Sequence, residues 1–219
     1  MTDLVPNRLL FRFEFALRYR SSPAIDGDLS DWPDEFLLPD FGGLDNSRSF
    51  GKVWVAWNET GLFIACRVEG RTAPFKCDPR RFWEGDNLRL CTDMRDTRDI
   101  KRASRYCQQF YFLPAGGGRD GRHPYTGVAR IHRAAESAPL PPEGSIPIAG
   151  RRDGDVYTLE AHVPAENLSG FDPDEHPRIG LYTMLEDVEL GQQYLTVGDE
   201  FNWHIDPSTW ATAVLARGT

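Results

Sequence analysis

Cysteine is scarce in this sequence. Cys66, Cys77, Cys91 and Cys107 are the only four, and they lack the close pairs from which zinc sites are built. A chain of 219 residues can bury a core without staples, so reduced thiols in a cytoplasm are the expectation. Long apolar runs are missing too: nothing approaches a membrane span, and Arg12, Glu14 and Arg18 interrupt every apolar stretch from which an export signal could be made. The reading is a cytoplasmic chain with no membrane partner. Positive charge is in deficit, since 25 Lys and Arg face 33 Asp and Glu for a net charge of −8. That speaks against nucleic acid, whose binding needs clustered cations that displace counterions from phosphates. The local run of Arg95, Arg98, Lys101, Arg102 and Arg105 is interleaved with Asp93, Asp96 and Asp99, as on a solvated face of mixed charge.

Catalytic signatures are equally absent. There is no Gly-x-Ser-x-Gly elbow and no His-Glu-x-x-His helix, and His123, His132, His162, His176 and His204 show no metal-ligand spacing. Gly116, Gly117, Gly118 and Gly121 lie in a stretch that lacks the Gly-Lys-Ser/Thr ending of a phosphate-cradling loop. Glycoside hydrolysis needs two facing carboxylates, and among 33 acidic residues some pair can always be chosen, so composition alone indicates no enzyme. Sustained 3.6-residue periodicity and internal repeats are missing as well.

What is present is period-two alternation. Residues 11–19 place Phe11, Phe13, Phe15, Leu17 and Tyr19 on one side of a strand and Arg12, Glu14 and Arg18 on the other. Residues 25–32 read as a packed loop anchored by Ile25, Leu29 and Trp32. Residues 52–57 and 62–69 form a hairpin around Asn58 to Gly61, a sequence suited to tight reversal. Further strands are expected at 106–113, 128–132, 156–163, 179–187 and 211–216, the third turning Tyr157, Leu159, Ala161 and Val163 inward and Thr158, Glu160 and His162 outward, with a glycine-rich loop at 115–125, a proline-stiffened connector at 138–144 and a single helical turn at 164–168. The fold class is all-β: one domain over residues 1–219, an antiparallel sandwich of roughly 8 to 11 strands in two sheets, jelly-roll or immunoglobulin-like. Its expected core holds Phe13, Phe15, Val55, Ile64, Leu88, Leu90, Leu159, Ala161 and Leu181.

The chain is organised around residues 82–93. A strand here turns Leu88, Leu90 and Thr92 to the core and Asn87, Arg89, Cys91 and Asp93 to a polar face, while Trp83 and Glu84 sit on the loop before it. Gly85 supplies the unusual backbone angles expected at that junction. An aromatic plate beside a row of hydrogen-bonding side chains suits neutral, hydroxyl-rich ligands: the ring covers the C–H face of a sugar and the polar groups take its hydroxyls.

Over residues 11–216 the sequence resembles the family 9 carbohydrate-binding modules and their DOMON-like sandwich relatives. The resemblance is carried by Ile25 to Trp32, by the Val53 to Trp57 and Leu62 to Ala65 hairpin, by Trp83 to Leu88, by Tyr157 to Pro164, and by Asp206 to Trp210 with Leu215. It implies a non-catalytic module, often attached to a glycoside hydrolase as partner enzyme, that clasps a mono- or oligosaccharide between two tryptophans. By motif position Trp83 matches the first; Trp203 is the candidate for the second, with Trp210 in reserve, both rings partly exposed to one concavity. Asn87, Arg89, Gln109 and Asn202 would supply polar contacts. Where the family places an acidic residue, this chain has Arg89, which implies an acidic sugar or a lost site. The resemblance also implies structural calcium, with Asp26, Asp28 and Asp31, or Asp93, Asp96 and Asp99, as oxygen donors, and an extracellular setting that conflicts with the cytoplasmic reading. Two alternatives stay open: a haem-binding redox module of the same sandwich type using Met184 and His204, and an interaction domain that has kept the scaffold without the sugar site.

Overall fold

Residues 7–217 are described by a computed structural model; the outermost residues of the expected domain lie outside them. Eleven strands run in chain order: β1 (Glu14–Arg18), β2 (Gly51–Asn58), β3 (Gly61–Glu69), β4 (Asn87–Asp93), β5 (Cys107–Gly117), β6 (His123–Ala129), β7 (Ile148–Asp153), β8 (Val156–Pro164), β9 (Arg178–Asp187), β10 (Gly191–Tyr194) and β11 (Ala211–Ala216). One sheet has the order β1-β11-β9-β4-β5-β6, with β10 also on β9; the other has the order β2-β3-β8-β7. All pairings are antiparallel except β1 with β11. No described helix is long and apolar enough to cross a membrane.

The alternation of apolar residues builds the layer between the sheets. Val55, Ile64, Leu159 and Ala161 from the small sheet meet Leu88, Leu90, Phe110, Phe112 and Leu181 from the large one, with Phe13 and Phe15 half-buried against them. The expected core is therefore the observed one, its first strand at the margin.

Each sheet also has a covered outer face. On the small sheet, Trp32 and Phe36 from the segment before β2 pack on Trp54, Ala56, Phe63 and Ala65. Glu160, expected to face solvent, is fully buried there and accepts hydrogen bonds from Trp32 Nε1 and from the backbone N–H groups of Asp26 and Gly27. Gly27 is needed at this junction, since its φ is +79° and a Cβ would stand 3.1 Å from the backbone of Gly150. On the large sheet, the segment after β10 lays Trp203 and Trp210 over Cys91, Tyr182 and Met184.

Several local expectations change. The glycine-rich stretch is mostly strand: β5 runs through Gly117 with a register shift after Leu113, and β6 begins at His123, leaving a short turn. The strand expected at 128–132 ends at Ala129, which frees Arg130 and His132 to leave the sheet. Gly85 is extended (φ −150°, ψ −168°), not unusual in its angles; its small size matters because a Cβ would stand 2.1 Å from the carbonyl oxygen of Lys76. β7 and β10 had no sequence signal of their own.

Candidate functional site

A cavity of about 570 Å³ lies on the outer face of the large sheet, lined by Phe82, Trp83, Arg89, Gln109, Ala129, Arg130, His132, Glu186, Asp199, Trp203 and His204. Three segments converge on it: the turn before β4, the chain leaving β6, and the loop between β10 and β11.

The turn before β4 is held from beneath. Asp86 is completely buried and receives Arg71 Nη1 and Nη2 at 2.9 and 2.8 Å, together with the backbone N–H groups of Lys76 and Val188. Arg71 also pairs with Asp187, which ties the turn to the end of β9. A buried guanidinium and carboxylate are retained only with their partners satisfied, and here the pairing fixes where residues 82–84 can sit. Phe82 stacks on Tyr111 of β5 with centroids 4.0 Å apart and planes 3° apart, and Trp83 stands edge-on to Phe82 at 5.3 Å. Trp83 is thus an exposed ring (53% accessible) on a braced support.

The polar floor is also preorganised. Asn87 is buried; its Nδ2 donates to the carbonyl oxygens of Phe82 and Gly85, and its Oδ1 accepts from Arg89 Nε at 2.8 Å. Asn87 does not line the cavity, so its role is to position Arg89 and the turn. Arg89 Nη2 reaches Glu186 Oε2 at 2.5 Å, with side-chain exposures of 7% and 19%. Gln192 Nε2 donates to Glu186 Oε1 and to Asp199 Oδ2, and Trp203 Nε1 donates to Asp199 Oδ1 at 3.1 Å. Burial acts to raise the pKa of Asp199, but the hydrogen bonds from Gln192 and Trp203 outweigh it and leave the carboxyl below its ordinary value. His204 is held below the usual imidazole value, first by burial, with Arg89 and His132 adding to the effect and Asp199 opposing it.

Trp83, Arg89, Gln109 and Trp203 therefore meet in one cavity, as expected from the sequence. The two-tryptophan clasp does not form. Trp203 is 1% exposed: Tyr182 stacks on it with centroids 4.8 Å apart, and the Arg89 guanidinium lies over the ring at 5.2 Å. Its face is spent on the protein's own packing. Trp210 is buried with it, donating from Nε1 to the Trp203 carbonyl oxygen, and does not reach the cavity. Asn202 is exposed outside the cavity, where its backbone carbonyl oxygen accepts from Ile205 and Asp206. Arg89 does not stand as a lone cation: Glu186, opposite Asn87 in the β4–β9 register, pairs with it and brings an acceptor beside it.

Glu186, Asp199, Arg130 and His132 were not recognised from the sequence. Glu186 could be found only through the register of β9 on β4, and Arg130 and His132 only by knowing where β6 ends.

The proposed cation donors do not converge. Asp26 and Asp28 share Arg151, at 3.4 and 2.9 Å, Asp28 also caps the turn at Ser30, and Asp31 pairs with Arg20 at 2.9 Å. Asp93 accepts from the backbone of Arg95 and Thr97, and Asp96 from the Thr212 hydroxyl. Among the described residues no group of three His, Cys, Asp or Glu side chains is placed to hold a metal ion. The haem pair is corrected too, because Met184 is fully buried in the aromatic cluster and does not line the cavity that His204 borders.

No family model and no curated protein matches the sequence. Solved structures do match in fold. A family 9 carbohydrate-binding module from Caldicellulosiruptor kristjanssonii in complex with cellotriose aligns over 94% of this chain and 95% of its own, with a TM-score of 0.65 and 13% identity. The structure of such a module from the same organism in complex with glucose gives 0.62 at 12% identity, covering 94% and 97%. A Bacteroides uniformis protein assigned as carbohydrate-binding gives 0.58 at 10% identity, covering 94% and 100%. The chain shares the β-sandwich fold of family 9 carbohydrate-binding modules along nearly its whole length.

Proposed function

We propose that this protein is a non-catalytic carbohydrate-binding module that holds a neutral sugar, or the end of a glycan, in the cavity beside Trp83. The observation that carries the reading is the exposed Trp83 ring standing next to a neutralised, hydrogen-bonded Arg89–Glu186 pair. Charged hydrogen-bonding groups fixed in advance recognise hydroxyls without side-chain ordering on binding, and the ring supplies the apolar contact. The fold is shared with modules solved with cellotriose and with glucose, which points to the same ligand class.

Binding fits the cavity's chemistry better than hydrolysis does. A glycosidase needs one carboxyl group kept protonated as acid. Here Glu186 is salt-bridged to Arg89, and Asp199 is held on the ionised side of its ordinary value. Burial pushes the Cys66, Cys77 and Cys107 thiols up to about 12 and raises Cys91 as well, so none offers a nucleophilic thiolate at neutral pH.

The test is calorimetric titration of the purified protein with glucose, cellobiose and cellotriose, alongside Trp83→Ala and Arg89→Gln. Saturable heat with at least one neutral sugar, lost in Trp83→Ala, supports the reading. No binding to any of them, or binding that ignores Trp83, rejects it.

A further inference from the structure

A second groove, of about 560 Å³, crosses the outer face of the small sheet, lined by β2, β3, β7, β8 and the 27–30 turn. It has no part in the aromatic cavity, which lies on the other sheet. Its floor is ordered by the strand register. Lys52 stands opposite Arg67, Arg67 opposite Thr158, and Thr158 opposite Arg151, which makes one row of polar side chains across four strands, with the Thr158 hydroxyl donating to the Gly27 carbonyl oxygen and the three cations as the row's charged donors. The next row places Glu69 and Asp153 on either side of Val156, a parallel row of acceptors.

Lys52 and Arg67 are like charges directly opposite one another, and each has its own exposed carboxylate, Asp34 at 3.7 Å and Glu69 at 2.8 Å. One feature of this floor is unexplained by the fold. Trp54, which lines the groove and is 5% exposed, has an indole Nε1–H that is buried with no hydrogen-bond partner. A buried donor left unpaired costs free energy, and since this N–H has no open surface, a ligand acceptor recovers that cost by a shift of the side chains around Trp54.

The chemistry selects the ligand. The groove's cations Lys52, Arg67 and Arg151 are balanced by Asp28, Glu69 and Asp153. Arg67 pairs with Glu69 at 2.8 Å and Arg151 with Asp28 at 2.9 Å, with about half or more of each side chain exposed. Such surface pairs hold little free energy, so they can turn toward a guest. Asp34 and Asp26 add carboxylates beside Lys52 and Arg151, so the groove has no excess of positive charge, and its interspersed donors and acceptors match a chain that carries both along its length. An extended peptide would need free backbone groups, but β3 and β8 lie inside the sheet with their backbone groups committed to its ladders. Four strands about 4.8 Å apart make a row about 14 Å long, room for several linked sugar rings.

We infer that this groove is a second carbohydrate site, which takes an internal stretch of a neutral, hydroxyl-rich glycan lying across β2, β3, β8 and β7. The inference takes its ligand class from the carbohydrate reading above but needs nothing from the aromatic cavity. The two sites sit on opposite outer faces, so one molecule would hold a chain end on one face and a chain interior on the other.

The experiment uses the Trp83→Ala protein, which silences the first site. Cellohexaose and xylohexaose are titrated into it while the indole N–H signal of Trp54 is followed by NMR, and the titrations are repeated with Lys52→Ala and Arg67→Ala added. The expected result is a saturable shift of the Trp54 signal, weakened about tenfold or more by the added substitutions, the scale of a lost hydrogen bond to a charged group. Raising the salt should leave the affinity almost unchanged, since a neutral ligand releases no counterions. A Trp54 signal that stays still, or binding indifferent to Lys52 and Arg67, overturns the inference. So does an affinity that falls steeply with salt, which would assign the groove to an anion. Loss of all binding in Trp83→Ala, with wild-type binding intact, removes the second site and keeps the first; no binding by wild type removes both.

Discussion

The two outer faces of the sandwich use arginine in opposite ways. On the large sheet Arg89 is buried, paired with Glu186 and hydrogen-bonded by Asn87, and it covers the Trp203 ring. On the small sheet Arg67 and Arg151 are about half exposed and hold carboxylates that solvent reaches as well. The difference follows from what covers each sheet. The long loop before β11 closes over the first and carries two tryptophans, whereas the 25–36 segment packs on Trp54, Ala56, Phe63 and Ala65 of the second and leaves the groove at Lys52, Arg67 and Arg151 open. Burial turns one arginine into scaffold; exposure leaves the others available.

The core shared by both faces is the reference for any measurement on either. Ile64→Ala from the small sheet or Leu90→Ala from the large one should each cost about 2 to 5 kcal/mol, the range for large buried aliphatic side chains. Chemical denaturation checks this, and an unchanged midpoint in both would contradict the common core. Next comes the contrast itself. Glu186→Gln leaves the Arg89 charge buried without its counter-ion and should cost about 2 to 3 kcal/mol, short of a fully buried pair because Glu186 retains some exposure. Glu69→Gln, at the exposed Arg67, should cost less than about 1 kcal/mol. Equal losses in the two would erase the distinction between the faces. Trp83→Ala sharpens it from the side of function: sugar affinity should fall about tenfold or more through lost apolar contact, while stability stays within about 0.5 kcal/mol of wild type.

The smallest effect is in pH. His204, on the large-sheet face, has a pKa lowered from 6.5, chiefly by burial. The unfolded chain therefore binds the proton more readily, so the stability associated with neutral His204 is present above pH 6.5 and lost as pH falls through the lowered value. Glu160, on the small-sheet face, has a pKa raised from 4.5 by burial, with hydrogen bonds from Trp32, Gly27 and Asp26 opposing the rise. Its contribution is present below pH 4.5 and lost as pH rises through the raised value. NMR titration of the two side chains should show shifts of opposite direction; parallel shifts would contradict the desolvation that lowers His204 and raises Glu160.

The core was legible because its rule is local. Alternation alone sorts Leu88 and Leu90 from Asn87 and Arg89, and Tyr157, Leu159 and Ala161 from Thr158 and Glu160. What alternation cannot report is what lies over the far face of a sheet. Glu160 was assigned to solvent because nothing near it in sequence shows that Trp32 and Gly27 close over it. Trp203 was taken as a ligand plate because its stack on Tyr182, twenty-one residues away in the chain, depends on how the loop before β11 folds back. Arg89 was read as a change of site charge because Glu186 is brought beside it only by strand register. β7 and β10, one glycine-containing and charged, the other short and polar, carry no periodic apolar signal, and they owe their strand form to β8 and β9. Trp83 could be placed on the loop before β4 because Gly85 and the alternation that begins at Asn87 are local signals, although the Arg71–Asp86 pair that braces the loop is not.

The most direct test of the carbohydrate reading is an NMR titration of the unlabelled sugar cellotriose into protein labelled at its tryptophan indoles. If Trp83 is the contact plate, its indole N–H signal should move saturably, and the Trp32 and Trp210 signals, buried and away from the cavity, should stay in place. If the Trp83 signal does not move at any sugar concentration, the cavity is not a carbohydrate site.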